Sequence, residues 1–352
     1  MAHRPRLDPA IFNLPVEPIR AGYYSDRYFV RAREVLLADD YHPRVTMQVF
    51  GKAPAFLGGV DEAIAILKLG AIEWSDLEVW ALYDGDEAAP WETVMLIEGP
   101  YDAFAHLETL YLGVIARRTR VATNTRRVVE AAAPKGVIFF PARHDHWLMQ
   151  AGDGYAADMA GATGVSTDAQ ASWWQSRGVG TVPHALIAAY GGDTVLATRK
   201  FSEYVGPDVQ VVALVDFDND CVGTSLAVAD ALGPRLYGVR LDTGELMVDR
   251  SLWHELGQMT PTGVNPALVW NVRRALDARG HGAVRIVASG GFTVEKIRDF
   301  ERQGVPVDAY GVGSALFAGT YDFTADIVLV DGTPCAKAGR EYRPNPRLER
   351  VQ

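Results

Sequence analysis

Cysteine is the scarcest residue in this chain, with Cys221 and Cys335 the only two among 352 positions. Two thiols cannot build a disulfide framework or a cysteine-rich metal cluster, so a reducing, cytoplasmic home is expected. Long apolar runs are missing as well. No uninterrupted stretch approaches the ~20 residues that cross a bilayer, so no membrane association is expected. His3, Arg4 and Arg6 near the start have no apolar segment behind them, and no export signal is expected there. Basic charge is in deficit, 34 Lys+Arg against 44 Asp+Glu for a net of −10. That balance speaks against a nucleic-acid surface and leaves an anionic small molecule to local basic groups. No Gly-x-Gly-x-x-Gly opens a strand–helix unit, which excludes dinucleotide binding of that kind. Low-complexity segments and short-period repeats are absent too. With 48% hydrophobic and 22% charged residues, the composition is that of a globular chain with one large domain or two unequal ones.

The most organised stretch runs over residues 284–317. A short apolar run, 284–288, stops at Ser289-Gly290-Gly291, a helical pattern follows over 293–303, and a second apolar run ends in Gly311-Val312-Gly313-Ser314. Thr293 can cap the helix with its hydroxyl, Glu295 favours its dipole, and Gly304 can end it. Glycine turns after successive parallel strands let backbone N–H groups approach an anion with no Cβ in the way. In (β/α) barrels the last two strand–helix loops are a common phosphate site. Taken as structure alone, the same glycines are tight turns.

Upstream, residues 1–19 are punctuated by proline and read as an extended arm. Ser25 or Asp26 can cap a helix running to Leu37, a strand is expected over 45–50, a helix over 60–69, and a strand over 93–98. Leu107, Leu110, Tyr111 and Val114 mark one amphipathic helix. From about Lys135 short apolar runs alternate with helical patterns: 137–140, 178–182, 209–215, 236–241, 284–288 and 307–312 read as strands, with helices such as 225–232 and 267–279 between them. Repeated β–α units imply a parallel sheet, and polar motifs at the same end of each strand favour a barrel, incomplete here, over a Rossmann sheet. The polar, Pro-rich tail, 331–352, is expected to return to the N-terminal part.

Polar residues that a packed core would not choose sit at those strand ends. Phe140-Pro141-Ala142-Arg143-His144-Asp145-His146 sets a basic cluster beside an aromatic, able to hold a carboxylate at Arg143 and stack a flat ring on Phe140. Gly180-Thr181-Val182-Pro183-His184 puts one histidine at a strand-to-helix turn. A lone histidine is commonly a structural hydrogen-bonder, but it is also a nucleophile able to carry a phosphoryl group. Asp216, after Val215, and Asp242, within Arg240-Leu241-Asp242-Thr243-Gly244, either cap the next helices or serve sugar hydroxyls, Mg²⁺ or His184.

In order along the chain, Asp26-x-Tyr28, Phe140-Pro-Ala-Arg143, Gly180-Thr-x-Pro-His184, Val215-Asp216, Arg240-Leu-Asp242-Thr-Gly244, Ser289-Gly-Gly291 and Gly311-Val-Gly313-Ser314 resemble the nicotinate phosphoribosyltransferases, in their short archaeal and bacterial form. The resemblance covers roughly residues 20–340. It implies an α/β chain: an N-terminal open-faced α/β sandwich (1–115, completed by 320–352) and an incomplete α/β barrel (116–319). It further implies a homodimer with shared active sites, the substrates nicotinate and phosphoribosyl pyrophosphate, ATP as co-substrate, and Mg²⁺.

Roles follow from the same resemblance. Ser289, Gly290, Gly291, Gly313 and Ser314 would hold the 5′-phosphate, while Asp242 and Arg240 would lie near ribose and pyrophosphate. Phe140 would stack on one face of the pyridine, with Tyr28 supplied by the partner on the other, and Arg143, with His146 nearby, would engage its substituent. Thr181 accompanies His184, which matches the histidine that ATP phosphorylates, with Asp216 as its acidic partner. Thr163 stands where amide-using relatives carry an aspartate, which favours nicotinate over nicotinamide because no carboxylate repels the base's own. Pro141 and His144 depart from the family's usual glycine and second basic residue. A decarboxylating quinolinate phosphoribosyltransferase, a nicotinamide enzyme and a non-catalytic phosphate-binding barrel remain the alternatives.

Overall fold

The computed structural model describes residues 4–257 and 261–352, so His3 lies outside the described residues. The chain divides into two compact units, Met1–Asn124 with Ala318–Gln352, and Thr125–Phe317. The first division falls inside the 25-residue helix Glu108–Ala132. Among the described residues no helix is long and apolar enough to cross a membrane.

The first unit is built on a six-stranded sheet in the order Thr333–Pro334, Phe323–Val330, Arg44–Gly51, Thr93–Pro100, Glu78–Ala81, Glu349–Arg350. Every pairing in it is antiparallel. Val45, Met47 and Val49 point from alternate positions into a core shared with Ile64 and Leu67 of the helix Val60–Gly70, as the two-residue period of a strand requires. The tail returns to this sheet as expected. Gln48 donates its side-chain amide to the carbonyls of Arg340 and Glu341 and accepts from the Arg343 N–H at 3.0 Å. At the helix Arg27–Ala38 the expected cap is not made. Asp26 occupies the capping position, but its carboxylate accepts from the Thr109 hydroxyl at 2.7 Å instead.

The second unit carries a six-stranded, all-parallel sheet in the order Gly164–Val165, Gly136–Phe139, Ala309–Val312, Arg285–Ala288, Leu236–Leu241, Val211–Leu214. Helices cover parallel strands, so these strands are apolar at successive positions: Val211, Val212, Ala213 and Leu214 are all buried. Three of the covering helices begin where the sequence offers an acceptor. Asp220 receives Gly223 N–H, Asn265 receives Leu268 N–H with Pro266 next to it, and Thr293 receives Lys296 N–H.

Residues 178–182, expected as a strand, form no ladder. Val179 N–H donates to Val165 at 2.7 Å and Val182 N–H to Val212 at 3.0 Å, one bond to each edge of the curled sheet. Pro183 follows with no N–H to continue the pattern and leads directly into the helix His184–Ala189. The barrel is therefore incomplete as a hydrogen-bonded sheet, in agreement with the expected architecture.

Candidate active site

All six strands run parallel and end on one side, where the carboxyl ends of five of them line a cavity of 590 Å³. Its phosphate-like corner is built from two turns. Gly290 and Gly291 both have positive φ (88° and 66°), a region where a side chain is strained, and they lead into the N-terminus of the helix Val294–Arg302. The first N–H groups of that helix have no intrahelical acceptor and face an anion with the favourable end of the dipole. The second turn, Gly313-Ser314, follows the neighbouring strand. Gly311, just before it, is glycine for packing: a Cβ there would lie 2.6 Å from Phe140 Cε2. The Phe140 ring thus lies across the adjacent strand and forms one wall of the cavity.

Between the turns sits a charged cluster. Asp242 Oδ1 accepts from the Ser289 hydroxyl at 2.8 Å, and its Oδ2 lies 3.6 Å from the Arg240 guanidinium. Burial pulls the Arg240 pKa down, while Asp242 and Asp216 push it back up. Its Nε is buried with no hydrogen-bond partner, a donor left for a ligand. Arg143 and His144 also line the cavity, and neither side chain is hydrogen-bonded or ion-paired among the described residues. Across the cavity His184 Nε2 lies 3.0 Å from Asp216 Oδ1, with the imidazole half-exposed and the carboxylate buried. Burial raises the Asp216 pKa, His184 lowers it, and Asp242 raises it again.

The structure gathers most of the residues singled out by sequence: Phe140, Arg143, Thr181, His184, Arg240, Asp242, Ser289, Gly290, Gly291, Gly313 and Ser314 line one cavity, with Asp216 behind His184. Three others are not brought there. Thr163 precedes the strand Gly164–Val165 and donates to Val137 O at 3.1 Å, at the amino end of the sheet. The residue that lines the cavity after this strand is Ser166, three residues on, at the carboxyl end, its hydroxyl donating to Gln170 Oε1 at 3.1 Å. His146 is turned aside to cap a short helical turn, accepting from Leu148 N–H at 3.3 Å while stacking on Trp147. Tyr28 belongs to the first unit, where it is 63% exposed beside Phe29. Ser289 is also recast: its hydroxyl is occupied with Asp242 and Leu241, so it fixes the carboxylate rather than offering itself to a phosphate. Ser166 and His144 were missed, although His144 stands next to Arg143 in the basic cluster.

No group of three or more His, Cys, Asp or Glu side chains among the described residues could hold a metal by itself. Asp242, partly exposed and held by Ser289, is the carboxylate in the cavity that fits Mg²⁺ of the kind that keeps its waters and rides on substrate phosphates.

A curled parallel sheet with anion turns at its carboxyl mouth defines the class, the type II phosphoribosyltransferase fold. Residues 26–119 match the family model described as quinolinate phosphoribosyl transferase, N-terminal domain. A nicotinate phosphoribosyltransferase of Mycobacterium tuberculosis is 31% identical over 277 residues, 75% of this chain and 56% of the relative. One from Bacillus subtilis is 25% identical over 246 residues, 69% of this chain and 46% of the relative. The solved structure of a nicotinate-nucleotide pyrophosphorylase from Pyrococcus furiosus superimposes with a TM-score of 0.80 at 33% identity, covering 95% of this chain and 84% of that one. The chain belongs to the nicotinate phosphoribosyltransferase family. It spans about half the length of the curated relatives it matches.

Proposed function

We propose that this chain is a nicotinate phosphoribosyltransferase of NAD salvage, forming nicotinate mononucleotide from nicotinate and phosphoribosyl pyrophosphate. The pyridine nitrogen attacks C1 of the ribose as pyrophosphate departs, through an oxocarbenium-like state. The protein's contribution is to hold both reactants in line and to neutralise the departing charge. Arg240, with its unpartnered Nε, faces the pyrophosphate, and Phe140 stacks on the base while Arg143 pairs with its carboxylate. Mg²⁺ held through Asp242 would supply charge neutralisation on the leaving group.

The observation that carries the ATP-coupled form of this reading is the His184–Asp216 pair at the cavity edge. Asp216 holds Nε2, which leaves Nδ1 as the nitrogen free to attack phosphorus. The lone pair of Nδ1 forms the P–N bond as ADP leaves, and the buried carboxylate supports the positive charge on the ring. Hydrolysis of that phosphohistidine is then coupled to transfer. Tyr28, exposed on its helix, is suited to reach a partner's cavity in a homodimer with shared sites.

The rival is a quinolinate-using, decarboxylating enzyme, favoured by the family model matched over residues 26–119 and by the name of the Pyrococcus furiosus protein. It has no need of ATP. Products from nicotinate, nicotinamide and quinolinate, each with and without ATP, separate these readings. The expected result is nicotinate mononucleotide from nicotinate, stimulated by ATP, with His184→Ala retaining slow, uncoupled transfer and losing ATP hydrolysis. Full ATP stimulation in that variant would remove His184 from the mechanism. Release of carbon dioxide from quinolinate would establish the rival, and no product from any base would leave a phosphate-binding barrel.

A further inference from the structure

We propose that His144 is the basic side chain that binds the phosphate of the phosphoribosyl donor, and that position 313 is glycine to leave room for its imidazole. This rests on the phosphoribosyltransfer reading and deepens it.

The observation is one of space. A Cβ built on Gly313 would lie 3.0 Å from His144 Cε1, 3.6 Å from Nδ1 and 3.9 Å from Nε2, and these are the three nearest atoms it would meet. The edge of the ring that carries both nitrogens therefore rests against the turn Gly313-Ser314. Gly313 does not have the positive φ of Gly290 and Gly291, so its lack of a side chain is not a backbone requirement. Nor does any backbone atom crowd it, in contrast with Gly154, whose Cβ would lie 2.1 Å from Gln170 O. What a side chain at position 313 would displace is the imidazole.

The second observation is chemical. His144 lines the cavity, and among the described residues neither ring nitrogen has a hydrogen-bond or ion-pair partner. The other imidazoles near the mouth are engaged: His184 with Asp216, and His146 with the Leu148 N–H. The short helical turn Ala142–His144, closed by His144 N–H donating to Pro141 O at 2.8 Å, fixes the backbone from which the ring projects. An anion seated on the Gly313-Ser314 turn would thus meet backbone N–H groups on one side and an imidazole N–H on the other. A hydrogen bond from a charged group to phosphate is the strong kind. Arg143, its neighbour, is left to the base, so the two adjacent basic residues divide the two anionic ends of the substrates.

The test is calorimetric binding of ribose 5-phosphate, which involves no base and no ATP, to the full chain and its variants. His144→Ala should weaken binding roughly ten- to hundredfold, the span of one charge-assisted hydrogen bond. His144→Arg should restore most of it, and His144→Gln, which keeps a donor, should fall between. Gly313→Ala, whose Cβ asks the ring to give way by a fraction of an ångström, should weaken binding in the same direction and by less than His144→Ala. Added to His144→Ala it should cost less than about twofold more, because the space it needs is already vacant. Unchanged affinity in a folded His144→Ala variant would overturn the assignment. Independent, additive losses would overturn the steric explanation of Gly313. Failure of the unsubstituted protein to bind ribose 5-phosphate would instead strike at the phosphoribosyltransfer reading, and this proposal would fall with it.

Discussion

The parallel strands of the second unit have two ends, and the two are built on opposite principles. At the amino ends lie the roomier clefts, 680 and 810 Å³. In the larger one the charges are neutralised in pairs, Lys135 with Glu301 at 2.8 Å, Arg273 with Asp277 and Arg285 with Asp308 at 2.7 Å each, and in the other the Arg235 guanidinium donates to the carbonyls of Val209 and Gly206. At the carboxyl ends the cavity is smaller, 590 Å³, yet Arg240 keeps an unpartnered Nε and the side chains of Arg143 and His144 have neither hydrogen bond nor ion pair among the described residues. Volume does not mark the functional end of this barrel. Unsatisfied positive charge does, because a buried donor without an acceptor is costly unless a ligand supplies one.

The contrast breaks most directly at Arg240. Removing this largely buried guanidinium takes away the donor that faces the departing charge, a loss of the size seen for one preorganised donor. Arg240→Ala should lower kcat/KM for the phosphoribosyl donor roughly 10²- to 10³-fold, read from initial rates at varied donor concentration. A normal rate would erase the distinction between the two ends.

Asp216 sharpens it through pH. Burial raises its carboxyl, so its contribution to stability is complete below the ordinary carboxylate value and is lost as pH rises through the raised one. Asp216→Asn should therefore melt at higher temperature than the unsubstituted protein near pH 8 and lose that advantage near pH 4, while ATP-stimulated turnover falls. Thermal scans across that range would contradict the reasoning if the advantage grew toward acid.

At the amino end, Lys135→Met removes one half-buried pair and leaves Glu301 with the Tyr310 hydroxyl. It should lower Tm by about 2–4 °C and leave the KM values for donor and base alone. The smallest effect belongs to Thr163→Val, which should keep KM for the base within about twofold. Ser166→Ala, at the other end of the same short strand, should shift it several-fold. Equal responses at both positions would mean that the end of the strand a residue occupies makes no difference.

Much of this arrangement was legible in the sequence, and for physical reasons. A parallel strand covered by helices must be apolar throughout, so 209–215, 236–241 and 284–288 stand out, and the polar residues that follow them must lie at one mouth. Thr293 announces a helix start through a bond between near neighbours in the chain. The failures are of another kind. Residues 178–182 have the composition of a strand, but Pro183 and the surrounding glycines deny them a ladder. Asp26 prefers Thr109, 83 residues away, to the helix beside it. Thr163 and Ser166 differ by three positions across a two-residue strand, too short a run to show which end each occupies. Ser289 and His144 depended on what stands opposite them in space, Asp242 and Gly313.

The extended segment that carries Thr181 toward His184 is tied to the sheet by one backbone hydrogen bond on each flank, Val179 to Val165 and Val182 to Val212, with Gly178 N–H held by Asp168 Oδ1 at its start. Backbone so sparsely tethered yields under small loads, unlike a zipped strand whose movement must break several bonds together. His184, the nucleophile of the proposed mechanism, accordingly follows a lightly tethered stretch beside an otherwise hydrogen-bonded sheet. Its approach to a nucleotide can be set by a slight displacement of main chain, and slower deuterium uptake across residues 176–190 on adding ATP would register that movement.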